Sequence, residues 1–221
     1  MQNKILAIIP AFNESTRITP VITGTLSYLP VLVIDDGSSD NTASVAEASG
    51  AEVIHQTPNQ GKGVALRAGF KHAIKGEFNA ALTLDADGQH DPADIPKFLD
   101  CYSIKHPDLI IGNRDFSQIP PIRRTANSIG ALMISWALGQ SIPDNQSGYR
   151  LIAHRLMQEL LRSEEQGFEF EVEMIATCIK LGMELDWLPI RTIYAGESSH
   201  IHPLNHTFKF IRIVFQTRRK L

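Results

Sequence analysis

The chain has 221 residues, 43% of them hydrophobic and 20% charged, and a net charge of −3. That length suits one domain with a substantial core, the balance excludes a disordered chain, and the mild acidity argues against nucleic acid as a partner. Two cysteines, Cys101 and Cys178, are too few for a disulfide scaffold and form no Cys-x-x-Cys knuckle, which fits a reducing, cytoplasmic compartment.

In chain order, Lys4 to Ile9 is a short buried-strand run stopped by Pro10. The run from Met1 to Pro10 is followed by no small-residue cleavage site, so no signal peptide is expected. Thr19-Pro20 reads as the cap and first residue of a helix towards Tyr28. Val31 to Ile34 is an apolar, β-branched run ending at Asp35-Asp36-Gly37, and Asp40-Asn41-Thr42 opens a helix that closes at Gly50. Ala51 to His55 is a third strand, Lys62 to Ile74 a helix, Ala80 to Leu84 a fourth strand, and Asp91-Pro92 the start of another helix. Asp108 to Ile111 is a fifth strand. The remainder is less regular: helix over Arg123 to Leu138, strand over Ser147 to Ile152, helix over Phe170 to Lys180, strand over Glu184 to Ile190. The longest apolar run, Ile129 to Leu138, is about half the ~20 residues that cross a bilayer, so no spanning helix is expected.

Strands that read as continuous apolar runs, alternating with helices over short links, predict an α/β fold: an open, mostly parallel, Rossmann-like sheet flanked by helices. Polar residues collect just after the strands, at Asn13-Glu14, Asp35-Asp36, Asp85-Asp87 and Asn113-Arg114. Ligands of open α/β sheets bind beyond the carboxyl ends of the strands, so these clusters should face one crevice.

The sharpest cluster is Asp85-Ala86-Asp87-Gly88-Gln89. Two carboxylates at i and i+2 with a neutral carbonyl at i+4 suit a hard divalent cation, Mg²⁺ or Mn²⁺, whose other ligands are substrate phosphates. The competing account is a polar turn, and Asp91 reads simply as a helix cap. A carboxylate at Asp35 or Asp36 could accept from a base or a ribose, or merely be a solvated turn. Phe12 could lie against a nucleobase and Glu14 reach a ribose. Asn59-Gln60-Gly61-Lys62-Gly63 resembles a phosphate loop without the spacing of a true one, and there is no Gly-x-Gly-x-x-Gly. Glu169, Glu171 and Glu173 could bind acceptor hydroxyls, but are explained most simply as a solvated helix start.

Taken together, the order Pro10-Ala11-Phe12-Asn13-Glu14, Asp35-Asp36-Gly37-Ser38, Gly61-Lys62-Gly63, Asp85-Ala86-Asp87-x-Gln89, Gly112-Asn113-Arg114 and Ser147-Gly148-Tyr149-Arg150 resembles family 2 glycosyltransferases of the GT-A fold. It looks most like the dolichyl- or polyprenyl-phosphate mannose synthase branch. The resemblance implies one glycosyltransferase domain over residues 1–200, with a donor half at 1–115 and an acceptor half at 116–200. It implies inverting transfer of a hexosyl unit from a nucleoside diphosphate sugar. Pro10, Phe12, Asn13, Glu14, Asp36, Asp85, Ala86, Arg114 and Arg191 would hold the donor, and Asp85, Asp87 and Gln89 the metal. Asp87 and Arg114 would stabilise charge on the leaving diphosphate. Arg123, Arg124 and His200 are candidates for an acceptor phosphate. The branch usually shows Gly-Ser-Arg at Gly112-Asn113-Arg114, and a Ser-Lys pair where this chain has Glu197-Ser198-Ser199-His200.

A phosphate acceptor is already an anion, whereas a saccharide hydroxyl needs a base, for which Asp144 is the candidate. A sugar-1-phosphate nucleotidyltransferase would carry a Gly-rich loop where this chain has Ala11-Phe12-Asn13-Glu14. Finally, Lys209, Arg212, Arg218, Arg219 and Lys220 are the only charged residues after Glu197. A helix over Thr207 to Lys220 would align Lys209, Arg212, Gln216 and Arg219 on an otherwise apolar cylinder. Residues 201–221 therefore read as a basic amphipathic tail, suited either to peripheral contact with the inner face of a membrane or to packing on its own domain.

Overall fold

The computed structural model describes residues 3–114 and 121–193 together with Val214 and Arg218, the stretch 121–129 by its backbone alone. Its strands are β1 (Ile5–Ala11), β2 (Val31–Asp36), β3 (Glu52–Gln56), β4 (Ala80–Thr83), β5 (Leu109–Arg114), β6 (Arg150–Ala153) and β7 (Leu185–Ile190). The helices are α1 (Ile18–Leu26), α2 (Thr42–Ala48), α3 (Lys62–Lys75), α4 (Ile95–Lys105), α5 (Pro121–Leu138), α6 (His154–Leu160) and α7 (Glu169–Lys180).

The strands form one sheet in the order β3-β2-β1-β4-β6-β5-β7. Pairing is parallel except around β6, which runs antiparallel to both β4 and β5. The sheet is thus mixed, and six of its strands deliver their carboxyl ends to one side. Strand order reverses at β1, which has β2 on one side and β4 on the other. That is where an open sheet leaves a crevice.

Burial on both faces explains the continuous apolar runs. In β1, Leu6 and Ile8 enter a core shared with Leu66 and Phe70 of α3, Leu156 of α6 and Ile175 of α7. Ile5, Ala7 and Ile9 enter the opposite core with Val21 and Ile22 of α1, Ala46 of α2 and Phe98 of α4. Val214, from the C-terminal segment, is buried in the first of these cores.

Several boundaries differ from the sequence expectation. α1 begins at Ile18, one turn being set by Glu14, whose carbonyl oxygen accepts from the Arg17 and Ile18 N–H groups; Pro20 then falls in the first turn. Asp91 does cap, accepting from Ala93 N, but the cap opens a short 3₁₀ turn, Pro92–Asp94, ahead of α4. β6 starts only at Arg150, because Ser147-Gly148 is loop. Helix α6 was legible in Leu156, Met157 and Leu160, at one-face spacing, yet falls where no helix was expected. The expected tail helix lies outside the described residues apart from Val214 and Arg218, both helical.

Candidate active site

The strand ends bring three acid-bearing loops together, and each acid is used differently. Asp35 and Asp36 close β2 and are both buried, so the expected solvated turn is not what forms. Asp36 accepts from Gln60 N at 2.9 Å and Gly61 N at 2.7 Å, which fixes the start of α3. Asp35 meets His55 Nδ1 at 2.5 Å and accepts from Ser38 N at 3.3 Å. Asn13 adopts a left-handed φ of 57°, a conformation asparagine tolerates better than most residues. There it receives an N–H from Ser39 at 2.8 Å and gives its own to Ser38 Oγ at 2.9 Å, stitching the β1 and β2 loops together. Phe12 beside it stands 47% exposed, available to a flat ligand, while Pro10 and Ala11 remain in the strand. Glu14 pairs with Arg17 at 2.7 Å, and its N–H is held by Thr42 Oγ1.

Asp85 lies at the centre. Lys62 Nζ, the first side chain of α3, sits 2.5 Å from Asp85 Oδ1 and 2.7 Å from Glu171 Oε1 of α7. Burial alone pushes the carboxyl of Asp85 up, but the adjoining ammonium outweighs it and holds the group near 2. The same contest raises Lys62: desolvation lowers it, and Asp85 and Glu171 more than reverse that. His90 receives the Asp85 N–H on Nδ1 at 3.2 Å, which leaves the proton on Nε2, 3.9 Å from Asp85 Oδ2. Burial drives His90 down to about 4, so it is a neutral donor near pH 7. Its ring lies 5.1 Å from that of Tyr149, which stacks on Phe98. Gly148 completes the wall. A Cβ there would collide with the Asp85 carboxylate, so only glycine lets the chain pass this close.

Beyond Asp85 the loop turns outward. Asp87 Oδ1 accepts from Gln89 N at 3.0 Å, and buried Ala86 packs into the core between the two acids. The strand β7 returns beside this loop: Ile193 N donates to Gln89 O, and Arg191 lies 3.6 Å from both Asp91 and Asp94. Arg191 is thus carried to the same rim, with its side chain 66% exposed.

Arg114 ends β5 and is clamped by Asp144. Its Nε and Nη2 donate to the two carboxylate oxygens at 2.7 and 2.9 Å, its backbone N–H reaches Oδ2 at 3.3 Å, and Gln146 N reaches Oδ1 at 3.0 Å. Four donors meet the roughly four lone-pair sites a carboxylate offers. Buried Arg150 locks the neighbouring loop, donating to the carbonyl oxygens of Ser147, Asn145 and Glu171.

The sequence reading gave no site role to His90, and it placed Lys62, Gly148 and Arg150 in motifs without assigning them one. Lys62 was legible only as part of an imperfect phosphate loop, whose Gly63 instead gives the Gln166 carbonyl room to accept its N–H at 2.7 Å. Glu171 corrects the solvated-helix expectation: it is buried, and its spacing to Ile175 and Cys178 was the available clue, an acid on an apolar stripe. The side chains of Arg123 and Arg124 on α5, and all of His200, lie outside the described residues.

No set of three His, Cys, Asp or Glu side chains forms a ready metal cage among the described residues. The hard-oxygen donors of the Asp85–Gln89 loop, and the cation already drawn to Asp85, still fit a site that a divalent ion shares with substrate phosphates. No described helix is long and apolar enough to cross a membrane.

Comparison with known proteins agrees with this geometry. The model of Glycosyl transferase family 2 matches residues 6–161. Among similar proteins, an undecaprenyl-phosphate mannosyltransferase of Micrococcus luteus is 32% identical over 85% of this chain and 82% of its own. A polyprenol monophosphomannose synthase of Mycolicibacterium smegmatis is 30% identical over 85% of this chain and 76% of its own. Glucosyl-3-phosphoglycerate synthase of Mycobacterium tuberculosis, solved with Mn²⁺, UDP-glucose and phosphoglyceric acid, superposes with a TM-score of 0.75 over 98% of this chain and 80% of that one, at 19% identity. With strand ends, acid loops and family match in accord, the chain belongs to glycosyl transferase family 2 and is a nucleotide-sugar-dependent glycosyltransferase of the GT-A fold.

Proposed function

We propose that the enzyme transfers a hexosyl unit, with inversion, from a nucleoside diphosphate sugar to a polyprenyl phosphate. The observation that carries this is the saturation of Asp144. A carboxylate that already accepts four hydrogen bonds has no lone-pair site left to receive a proton from a sugar hydroxyl, and a phosphate acceptor needs no base. The similarity to two polyprenyl-phosphate mannosyl enzymes supports the same class.

On this reading Phe12, Asn13, Glu14 and Asp36 shape the nucleotide end of the crevice, with Pro10 and Ala86 forming its walls. Asp85, Asp87 and Gln89 hold a divalent Mg²⁺ or Mn²⁺ ion, which when bound would neutralise the departing diphosphate. Arg114, aimed by Asp144, and Arg191 add positive charge along the same rim. Arg123, Arg124 and His200 are the proposed acceptor-phosphate contacts. Residues 1–200 form the catalytic domain on this account, and 201–221 a basic tail with peripheral membrane contact. Val214, buried in the core, and Arg218, 5.4 Å from the Trp136 ring, hold part of this tail against its own domain, and the exposed Leu132 and Trp136 on α5 are the apolar surface beside it that a bilayer could meet.

The test is a transfer assay with UDP- and GDP-sugars in which polyprenyl phosphate and a free saccharide compete as acceptors. Sugar–phosphate product is expected; saccharide product alone moves the assignment to a hydroxyl acceptor. Sedimentation with anionic vesicles checks the tail: salt-sensitive binding is expected, about 1 kcal/mol for each basic residue at the surface. Indifference to such vesicles at low salt would remove the membrane contact.

A further inference from the structure

The cation at Asp85 is built into the fold, and transfer chemistry gives no reason for it to grip that carboxylate. The backbone around Lys62 is fixed on both sides, by Asp36 on Gly61 N and by Gln166 O on Gly63 N. The ammonium lies 5.3 Å from the Phe168 ring, and its side chain is only 15% exposed. Its second partner, Glu171, comes from the buried stripe of α7, and the Glu171 carbonyl is itself held by Arg150. Gly148 passes close against the Asp85 carboxylate. The result is a lysine shared between two carboxylates, one fixed in the core and one on the metal loop.

We propose that Lys62 is a resident counter-cation that competes with the divalent ion for Asp85. The metal binds by drawing Asp85 off the ammonium, which stays on Glu171 and so is never left as an uncompensated buried charge. Glu171 is therefore a parking site, and Lys62 a positioning residue that sets how tightly bare metal is held. This rests on the assignment of Asp85 as a metal ligand. Two consequences follow from the geometry. The protein without metal keeps its acid loop neutralised and ordered. Metal alone binds weakly, because each binding event must break a short, half-buried ion pair.

Calorimetric titration of the full chain with MnCl₂, alone and with UDP or GDP, separates these ideas. Lys62→Met should bind Mn²⁺ alone about tenfold tighter than the parent, within the range typical of coupled sites. Glu171→Gln should bind it more weakly, because the displaced ammonium has lost its second partner. Amine acetylation followed by mass spectrometry gives a readout in the unmutated protein. Lys62 should be protected without metal and should label faster at saturating Mn²⁺. An Mn²⁺ affinity unchanged or weakened in Lys62→Met, or Lys62 labelling indifferent to Mn²⁺, overturns the proposal. If Lys62→Met does not fold, the labelling result decides alone. Asp85→Asn tests the underlying assignment separately: retained Mn²⁺ affinity there would reject Asp85 as a ligand, whatever Lys62 does.

Discussion

The two acid pairs flanking β1 look alike in sequence and do opposite work. Asp35 and Asp36 end β2 and spend their oxygens on the protein, on His55, Ser38, Gln60 and Gly61. Asp85 follows β4 and is met by a side-chain ammonium, and Asp87 lies farther along the same loop. A carboxylate satisfied by backbone N–H groups cannot be reassigned without remodelling a loop. One satisfied by a lysine at the end of a four-carbon stem can change partner with small motions. Asp36 therefore reads as a latch and Asp85 as an exchangeable site, and adjacency of β2 and β4 to the same central strand puts both at one crevice.

The hardest way to break this contrast is Asp87→Ala. It should cost more than about 100-fold in divalent-dependent binding of a nucleoside diphosphate, above what even an outer partner of a metal site contributes. Calorimetry with and without Mn²⁺ measures it, and unchanged metal-dependent affinity would make the two pairs equivalent. Asp144→Asn comes next. Freed from one arm of its clamp, Arg114 should lose orientation, and turnover should fall by less than about 100-fold. A loss spanning about 10²–10⁴ would instead be that of a general base. Asp36→Asn sharpens the other side. Asparagine offers one acceptor oxygen where two N–H groups need partners, so stability to urea should drop by about 1–3 kcal/mol. Metal-dependent binding should survive it if the latch is structural.

The smallest effect is at Asp40, an exposed acid near the latch. Desolvation pushes its carboxyl up, but the hydrogen bonds from Thr42 and Ser15 together outweigh this and hold it at about 2. The folded state thus binds the proton less readily than the unfolded chain. The contribution is present above the ordinary carboxylate range and is lost as pH falls through about 2. Because the group is exposed, a few tenths of a kcal/mol is the expected scale. Acid unfolding of Asp40→Ala against the parent should show this difference vanish at the acid end.

Most of the donor half was legible because β1, β2 and β4 are buried on both faces. Runs such as Val31 to Ile34 then carry no polar interruption, and the first polar residue marks the strand end. The Asp91 cap was readable because it depends on residues within one loop. What escaped was non-local. Glu171 stands 109 residues from Lys62, and nothing between them in sequence announces the pair. Asp144 was found as a polar residue in a Pro-Asp-Asn-Gln turn, yet its clamp on Arg114 depends on β5 ending beside that turn. The direction of β6 was equally hidden, since the apolar run Leu151 to Ala153 reads the same forwards and backwards.

That reversed strand has a consequence for how the protein is made. Ala80 pairs with Ala153 and Thr83 with Arg150, while Leu109 and Ile111 take the other edge of the same strand. On the ribosome, β1 to β4 can assemble from consecutive βαβ units as they emerge, but one edge of β4 has no neighbour until the residues after Tyr149 have been synthesised. Through that interval the nascent chain carries an open, apolar strand edge, a template for association with other chains. β6 then arrives as the keystone, joining β4 to β5, and β7 adds to the free edge of β5 once it has been made. Closure of the sheet and placement of Gly148 against Asp85 are therefore the same late event, so the catalytic crevice matures only when the fold itself is sealed.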